Sequence, residues 1–161
     1  MCTNAIAIFD NKHIKGNIKF HECENSKGTE VHFNLYNLKP NKVAGFHIHE
    51  NGDITEGCKS LGPHFNPTNK QHGSIFIDIK NSHSGDLLNN VYPDKYGKFI
   101  YSYIDPRIKL RGDVESSIFG RAIVLHEGED DLGLGKNKDS KITGNSGERI
   151  GYALIGHTKK F

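Results

Sequence analysis

The stretch Ile14-Lys15-Gly16-Asn17-Ile18-Lys19-Phe20 alternates apolar or small residues with polar ones. Successive side chains of a β-strand point to opposite faces, so this period of two is typical of a half-buried strand. Short runs of similar character recur at 5–9, 31–35, 43–49, 99–104, 119–126 and 150–155, separated by segments rich in Gly, Asn, Asp, Lys and Pro. No segment sustains a period of 3.6 residues. The sequence therefore predicts an all-β fold, a Greek-key sandwich or barrel of about eight antiparallel strands.

The chain has 161 residues and a formal net charge of +2, with charged residues scattered along its length. This length suits one domain, which we expect to span residues 1–161. The chain lacks the concentrated basic patch of a nucleic-acid-binding protein, so nucleic acid is not an expected partner. Its first residues lack the features of a secretory leader, and no segment approaches the length of a membrane span. We therefore expect a cytoplasmic protein without a membrane partner.

The three cysteines, Cys2, Cys23 and Cys58, are widely spaced and odd in number. They match neither a disulfide framework nor a zinc knuckle. Thiols in a reducing compartment are the simplest interpretation, and the sequence gives no support for a bond from Cys58 to Cys2 or Cys23.

Two polar segments, 50–83 and 127–148, are too long to be hairpin turns. Loops of such length inside a small domain are usually functional or disordered. Six of the ten histidines lie in or beside them, namely His47, His49, His64, His72, His83 and His126. The other four, His13, His21, His32 and His157, have no evident role and are expected at the surface.

The first histidine group points to copper. His47 and His49 are two residues apart in a predicted strand, so both imidazoles project from one face and can reach one metal ion. His126 closes an apolar run and His64 lies in the first long loop, so this pair could complete a site of four imidazoles. Such a site suits copper in both of its common oxidation states. A lone His-x-His pair is more often incidental, but here it accompanies four further histidines in two loops.

The second group points to zinc. His72, His83 and Asp86 offer two nitrogens and a carboxylate oxygen, and one more histidine would make a tetrahedral zinc site. His64 is the natural candidate to serve both metals.

A series of motifs runs through nearly the whole chain in a fixed order. They are Gly45-Phe46-His47-Ile48-His49-Glu50, Gly52-Asp53, Gly57-Cys58, Gly62-Pro63-His64-Phe65-Asn66-Pro67, His72-Gly73, His83-Ser84-Gly85-Asp86-Leu87, His126-Glu127-Gly128-Glu129-Asp130-Asp131-Leu132-Gly133 and Thr143-Gly144-Asn145-Ser146-Gly147-Glu148-Arg149. In these motifs the chain resembles the copper–zinc superoxide dismutases. The resemblance implies an enzyme that disproportionates superoxide to oxygen and hydrogen peroxide by alternate reduction and reoxidation of copper.

The resemblance also implies the ligand sets. Copper would be held by His47, His49, His64 and His126, and zinc by His64, His72, His83 and Asp86, with His64 bridging the two as an imidazolate. During the cycle His64 would also carry a proton.

Further site residues follow from the same resemblance. Arg149 would stand beside copper, where its permanent charge and planar donors attract and orient a small anion. Thr143 would form the opposite wall of a narrow channel. Asp130 would accept hydrogen bonds from one ligand of each metal, His47 and His72, and orient them. For its neighbour Asp131 we expect only a solvated acid in a charged loop.

One departure from the family pattern concerns its intrasubunit disulfide. Cys58 matches one half of that bond, but Tyr152 occupies the position of the other half. Cys58 is therefore expected to be a free thiol, which argues against dependence on a copper chaperone that oxidises this bond.

A second departure concerns the family's dimer contact. Asn51 stands where an aromatic residue is usual, and Gly156-His157 stands where an apolar side chain is expected, although Phe119 still offers apolar surface. We expect that a homodimer is possible, with a weakened interface.

Two other function classes stay open at this point. An inactive homologue that only binds copper or a partner is disfavoured by the intact ligand set together with Arg149. A purely structural β-sandwich explains neither the histidines nor the long polar loops.

Overall fold

The computed structural model describes residues 1–161 and is built almost entirely of strands. The strands are β1 Cys2–Asp10, β2 Lys15–Cys23, β3 Thr29–Tyr36, β4 Ala44–His49, β5 Asn90–Val91, β6 Phe99–Asp105, β7 Ala122–His126 and β8 Arg149–His157. Helical turns are short: three 3₁₀-helices at Gly57–Leu61, Ile79–Asn81 and Ser84–Asp86, and one α-helix, α1, at Ser140–Thr143. Every run predicted from the period of two overlaps a strand. In the run at 119–126, the strand begins only at Ala122. No helix in the chain is long and apolar enough to cross a membrane.

The strands form a single antiparallel sheet in the order β5-β4-β7-β8-β1-β2-β3-β6. β1 pairs with β2 and β2 pairs with β3, so these strands, consecutive in sequence, form hairpins. β3 instead pairs with β6, and β4 pairs with β7, although neither pair is consecutive in sequence. These non-sequential neighbours are the mark of a Greek key. The predicted all-β fold of about eight antiparallel strands is confirmed.

One hydrophobic core joins the strands into a nearly closed barrel. Its members come from both ends of the sheet order, for example Phe46 and Val91 at one end and Phe33 and Phe99 at the other. In β1, β2 and β3 buried residues alternate with more exposed ones, as the sequence pattern predicts.

Strands β4 and β7 differ because both of their faces are buried. Phe46 and Ile48 of β4 point into the core, so His47 and His49 point to the opposite, outer face. That face is buried because the two long loops fold over it. The alternation of β4 thus places apolar side chains in the core and two histidines in a buried polar site on the other face.

The cysteine expectation is wrong for two of the three residues. Cys2 and Cys23 form a disulfide bond, with their Cα atoms 4.0 Å apart. They lie directly opposite each other on β1 and β2, so the strand register brings together residues that are separated by 21 positions in the sequence. Cys58 is free, as expected.

Candidate metal centre

Strand pairing and a returning loop bring the first histidine group together. His47 and His49 lie on β4, and His126 ends the neighbouring strand β7. The first long loop returns alongside β4, where His64 forms an isolated β-bridge with His49. All four side chains are buried, and one ring nitrogen of each lies within 4.8 Å of the others.

The second group converges on one carboxylate oxygen. The Nδ1 atoms of His64, His72 and His83 lie 3.1, 2.9 and 3.0 Å from Asp86 Oδ1. A tetrahedral ion with ligand bonds of about 2.0 Å sets its ligand atoms about 3.3 Å apart. Each nitrogen therefore lies at nearly the distance from Asp86 Oδ1 that separates two corners of a zinc tetrahedron.

Two buried histidine nitrogens, His47 Nδ1 and His64 Nε2, have no hydrogen-bond partner. Leaving a buried polar atom unpaired costs about 1–3 kcal/mol, so such atoms are rare in native proteins without a ligand or water. A bound copper ion would satisfy both, and the donor set of four imidazoles is the one that copper accepts.

Backbone carbonyls fix the tautomers of three other rings. His49 Nδ1 donates to Gly62 O over 2.9 Å, His126 Nδ1 donates to Gly147 O over 3.1 Å, and His83 Nε2 donates to Lys70 O over 3.1 Å. A carbonyl oxygen only accepts, so each proton sits on the outward nitrogen. The inward nitrogen is left with its lone pair directed at the centre of its group, as a metal ligand requires.

Asp130 connects the two histidine groups through ring nitrogens that are not proposed as metal ligands. Its carboxylate accepts hydrogen bonds from His47 Nε2 over 2.5 Å and from His72 Nε2 over 2.9 Å. Asn90 holds Asp130 in turn, donating to its carbonyl over 3.0 Å and accepting from its backbone N–H over 2.8 Å. One ligand of each proposed metal therefore shares a single, firmly placed carboxylate.

The electrostatics favour metal binding at neutral pH. Burial lowers the pKa of His126 to about 4 and also lowers the pKa values of His47 and His49, so these rings are neutral. Burial alone would raise the pKa of Asp86, but hydrogen bonds from His64 and His72 outweigh that effect and hold the pKa well below its usual range. Neutral imidazoles and an ionised carboxylate are the forms that bind metal ions.

His72 is the exception among the histidines. Burial lowers its pKa, but hydrogen bonds to Asp130 and Asp86 outweigh that effect and raise the pKa to about 9. Binding of a metal ion at His72 Nδ1 would therefore release a proton.

Arg149 and Thr143 lie beside the cavity that connects the histidine site to the solvent. Both line a cavity that also exposes the edges of His64 and His126. The half-buried Arg149 guanidinium is held by two carbonyls of the first loop, donating to Cys58 O over 2.9 Å and to Gly62 O over 2.7 Å. Thr143 ends α1 in the second loop and is exposed.

Asp131 is not the solvated acid that the sequence suggested. Its carboxylate accepts hydrogen bonds from Ser140 Oγ over 2.8 Å, Gly133 N over 3.0 Å and Asn145 Nδ2 over 2.6 Å. The sequence could not show this because these partners lie along the second long loop, where no repeating pattern brings them together. Asp131 therefore braces the second loop from inside.

Sequence reasoning also missed Arg107, which follows β6. Its buried guanidinium pairs with Asp105, with Nε and Nη2 at 3.0 and 2.7 Å from the two carboxylate oxygens. It also donates to His83 O over 3.0 Å and Leu87 O over 2.7 Å. Arg107 therefore ties to the barrel the short segment that carries His83 and Asp86. A lone arginine after a strand gives no sequence signal for such a role.

Gly144 is a second residue whose role only the structure reveals. It adopts a left-handed conformation with φ of 65°. A Cβ atom there would lie 2.4 Å from Asp130 Oδ1 and 2.5 Å from His72 Nε2. Only glycine lets the second loop approach the Asp130–His72 hydrogen bond so closely.

Comparisons with known proteins agree with this geometry. The family model described as copper/zinc superoxide dismutase matches residues 14–155. The chain is 48% identical over 157 residues to a Cu-Zn superoxide dismutase of Paramecium bursaria Chlorella virus 1, covering 98% of this chain and 80% of the relative. It is 43% identical over 145 residues to that of Saccharomyces cerevisiae, with coverages of 90% and 91%. An extracellular Cu-Zn superoxide dismutase of Drosophila melanogaster is 44% identical over 147 residues, with coverages of 91% and 78%.

A solved structure extends the similarity to three dimensions. The crystal structure of the clock protein EA4 matches with a TM-score of 0.87 and 39% sequence identity, covering 97% of this chain and 95% of that one.

Proposed function

This chain belongs to the copper/zinc superoxide dismutase family, and from that premise we propose how its own residues carry out the family's reaction within one domain of residues 1–161. It is a superoxide dismutase whose cofactors are copper and zinc and whose substrate is superoxide. When bound, copper supplies the one-electron oxidation and reduction that convert superoxide to oxygen and hydrogen peroxide, while zinc is redox-inert.

We assign the ligands by their donor atoms. Copper would be held by His47 Nδ1 and the Nε2 atoms of His49, His64 and His126, and zinc would be held by the Nδ1 atoms of His64, His72 and His83 with Asp86 Oδ1. The observation that carries the assignment is the position of His64. Its Nδ1 lies 3.1 Å from Asp86 Oδ1, while its buried Nε2 has no partner. One imidazole therefore offers one nitrogen to each donor group.

Arg149 is the anion-binding residue in this proposal. Burial lowers its pKa, but an arginine starts so high that the group stays charged at neutral pH. The carbonyls of Cys58 and Gly62 hold its two terminal nitrogens. The fixed positive charge attracts superoxide and orients it in the cavity beside His64 and His126.

Thr143 and His64 complete the substrate site. Thr143, on the second loop, limits the width of the cavity opposite Arg149 and so favours a small anion. His64 Nε2 has no hydrogen-bond partner in the protein, and we assign it as the atom that holds a proton for the peroxide product whenever it is not serving as a copper ligand.

We propose that the chain forms a weak homodimer with superoxide dismutase activity in each subunit. The Phe119 ring, the apolar surface expected at the contact, is stacked by the His157 ring at a centroid distance of 3.6 Å. Asn51, which lines the same surface cavity as Phe119, is exposed and polar. Sedimentation velocity over a range of protein concentrations tests this, because a weak dimer dissociates on dilution.

We also propose that copper loading needs no chaperone that oxidises a disulfide. Cys58 and Tyr152 both pack against a small buried cluster of Leu61, Ala122 and Val124. That apolar contact occupies the place of the family's disulfide. Adding copper and zinc salts to the metal-free protein should restore full activity, and an absolute requirement for a chaperone would contradict the proposal.

The compartment is a separate proposal. Cys58 is unpaired, which favours a reducing environment such as the cytoplasm, whereas the Cys2–Cys23 bond is of the kind that oxidising compartments preserve. We propose the cytoplasm, and fractionation of cells that express the chain tests it.

The central test is the superoxide dismutation rate of purified protein whose copper and zinc contents are assayed on the same sample. We expect fast turnover with about one copper per chain and a strong loss in an Arg149→Ala variant at equal metal content. A fully copper-loaded protein without turnover would overturn the assignment and leave a copper-binding role in its place.

A further inference from the structure

A second group of metal-binding side chains lies away from the metal centre, on strands that contribute no residue to it. Cys2 on β1 and His21 and Cys23 on β2 place their ligand atoms within 4.8 Å of one another. The antiparallel register sets Cys2 opposite Cys23 and Asn4 opposite His21. Residues two apart on a strand share a face, so all four side chains lie on the same side of the sheet.

The His21 ring is oriented as metal-binding histidines usually are. Its Nδ1 donates to Asn4 Oδ1 over 2.5 Å, and the amide oxygen only accepts, so the proton is fixed on Nδ1. The other nitrogen, Nε2, is left with its lone pair and lies 3.1 Å from Cys23 Sγ. A hydrogen-bond acceptor behind the ring is the arrangement that fixes the tautomer and raises the basicity of a histidine ligand.

The environment of the ring restricts its movement further. The Phe161 ring packs against His21 at a centroid distance of 4.5 Å and against His32 on the neighbouring strand at 4.8 Å. His21 is thus held between an amide and an aromatic ring while its free nitrogen faces the two sulfurs.

We propose that Cys2, His21 and Cys23 form a redox-gated Cu(I) site, closed while the disulfide is intact and open once it is reduced. Reduction by a phosphine consumes one water and yields two thiols and a phosphine oxide. The thiols then lose their protons as Cu(I) binds. Thiolate sulfur is a soft donor that selects Cu(I) or zinc over harder cations, and imidazole binds either metal. The site offers three protein donors, so zinc would need a water molecule as its fourth ligand, whereas Cu(I) needs no fourth ligand, and we therefore commit to Cu(I).

The experiment uses the full chain with its copper and zinc sites already filled, in a Cys58→Ser background that removes the third thiol. The phosphine-treated and untreated proteins are titrated with Cu(I) against a chromophoric Cu(I) chelator. We expect one additional Cu(I) per chain in the reduced protein only, with an ultraviolet absorption band of thiolate-to-metal charge transfer. The ligands assigned to the main centre are histidines and a carboxylate, so this band reports on the new site whatever the fate of the assignments made above.

The variants separate ligation from folding. Cys2→Ser and Cys23→Ser should each abolish the band, and their matched reference is the reduced parent protein, which also lacks the disulfide. His21→Ala should weaken Cu(I) binding by about tenfold or more. His32→Ala, which touches the same Phe161 ring, should leave it unchanged. No extra copper in the reduced protein, equal uptake by His21→Ala, or tighter binding of zinc than of Cu(I) would each overturn the proposal.

Discussion

Arg149 and His49 donate hydrogen bonds to the same oxygen, the carbonyl of Gly62, over 2.7 and 2.9 Å. One backbone atom of the first loop therefore fixes the distance between the proposed anion-binding group and a proposed copper ligand. The second guanidinium nitrogen of Arg149 is held by Cys58 O. The position of the Arg149 charge and the position of the His49 ring therefore both depend on the conformation of this loop.

Replacing Arg149 by lysine should separate these two contributions. Lysine keeps the positive charge but cannot donate to two carbonyls in one plane, so we expect the dismutation rate to fall by about tenfold, the equivalent of about 1.4 kcal/mol. Arg149→Met should be slower still and less sensitive to salt, because the steering charge is lost. The measurement is the rate at several ionic strengths on samples of equal copper content. Arg111→Lys, at an exposed pair with Glu24, is the control, and full activity in Arg149→Lys would mean that charge alone suffices.

The carboxylate shared by His47 and His72 makes a second prediction. Asp130→Asn keeps the size of the side chain but can no longer accept from both rings as an anion, so we expect copper and zinc affinities to fall by about 10- to 100-fold. Competition with calibrated chelators measures both. Asp131→Asn is the matched control, since Asp131 touches no proposed ligand and should leave the affinities near those of the parent. Equal losses in the two variants would show a general loop effect instead.

Arg107 should position the zinc ligands as well as stabilise the fold. Breaking its buried pair with Asp105 by Arg107→Leu should lower the free energy of unfolding of the metal-free protein by about 3–5 kcal/mol. The double variant Arg107→Leu/Asp105→Leu removes both charges and should recover part of that loss. Zinc affinity should stay low in both variants, because the carbonyls of His83 and Leu87 remain unanchored. Urea unfolding and zinc competition provide the two readouts, and zinc affinity that rises with stability would contradict a positioning role.

The sequence predicts the parts of this molecule that repeat or cluster. Alternation in runs such as Ile14–Phe20 predicts the strands, because a half-buried strand imposes a period of two on its residues. The pair His47 and His49 predicts a shared face for the same reason. The sequence does not predict β5, because its two residues, Asn90–Val91, are too few to show a period.

What the sequence does not predict depends on register and on irregular backbone. The bond between Cys2 and Cys23 follows from which residues of β1 and β2 lie opposite each other, and no local pattern fixes that alignment. Asp131 acts through small side chains and a backbone amide of the second loop, and Arg107 joins Asp105 to the backbone carbonyls of His83 and Leu87. Such partners leave no residue pattern by which sequence reasoning could find them.

The free thiol of Cys58 gives a last prediction, on reactivity and pH. Burial raises the pKa of this thiol, and the opposing charge of Arg149 only partly offsets that effect. At pH 8 the folded protein therefore holds less thiolate than the unfolded chain, and alkylation, which needs the thiolate, should be slower when folded and should accelerate as the pH rises. Mass spectrometry should find one label per folded, unreduced chain and three after reduction in urea, because Cys2 and Cys23 are bonded. Labelling of Cys58 in the folded protein as fast as in urea would contradict its burial, and three labels without reductant would contradict the disulfide.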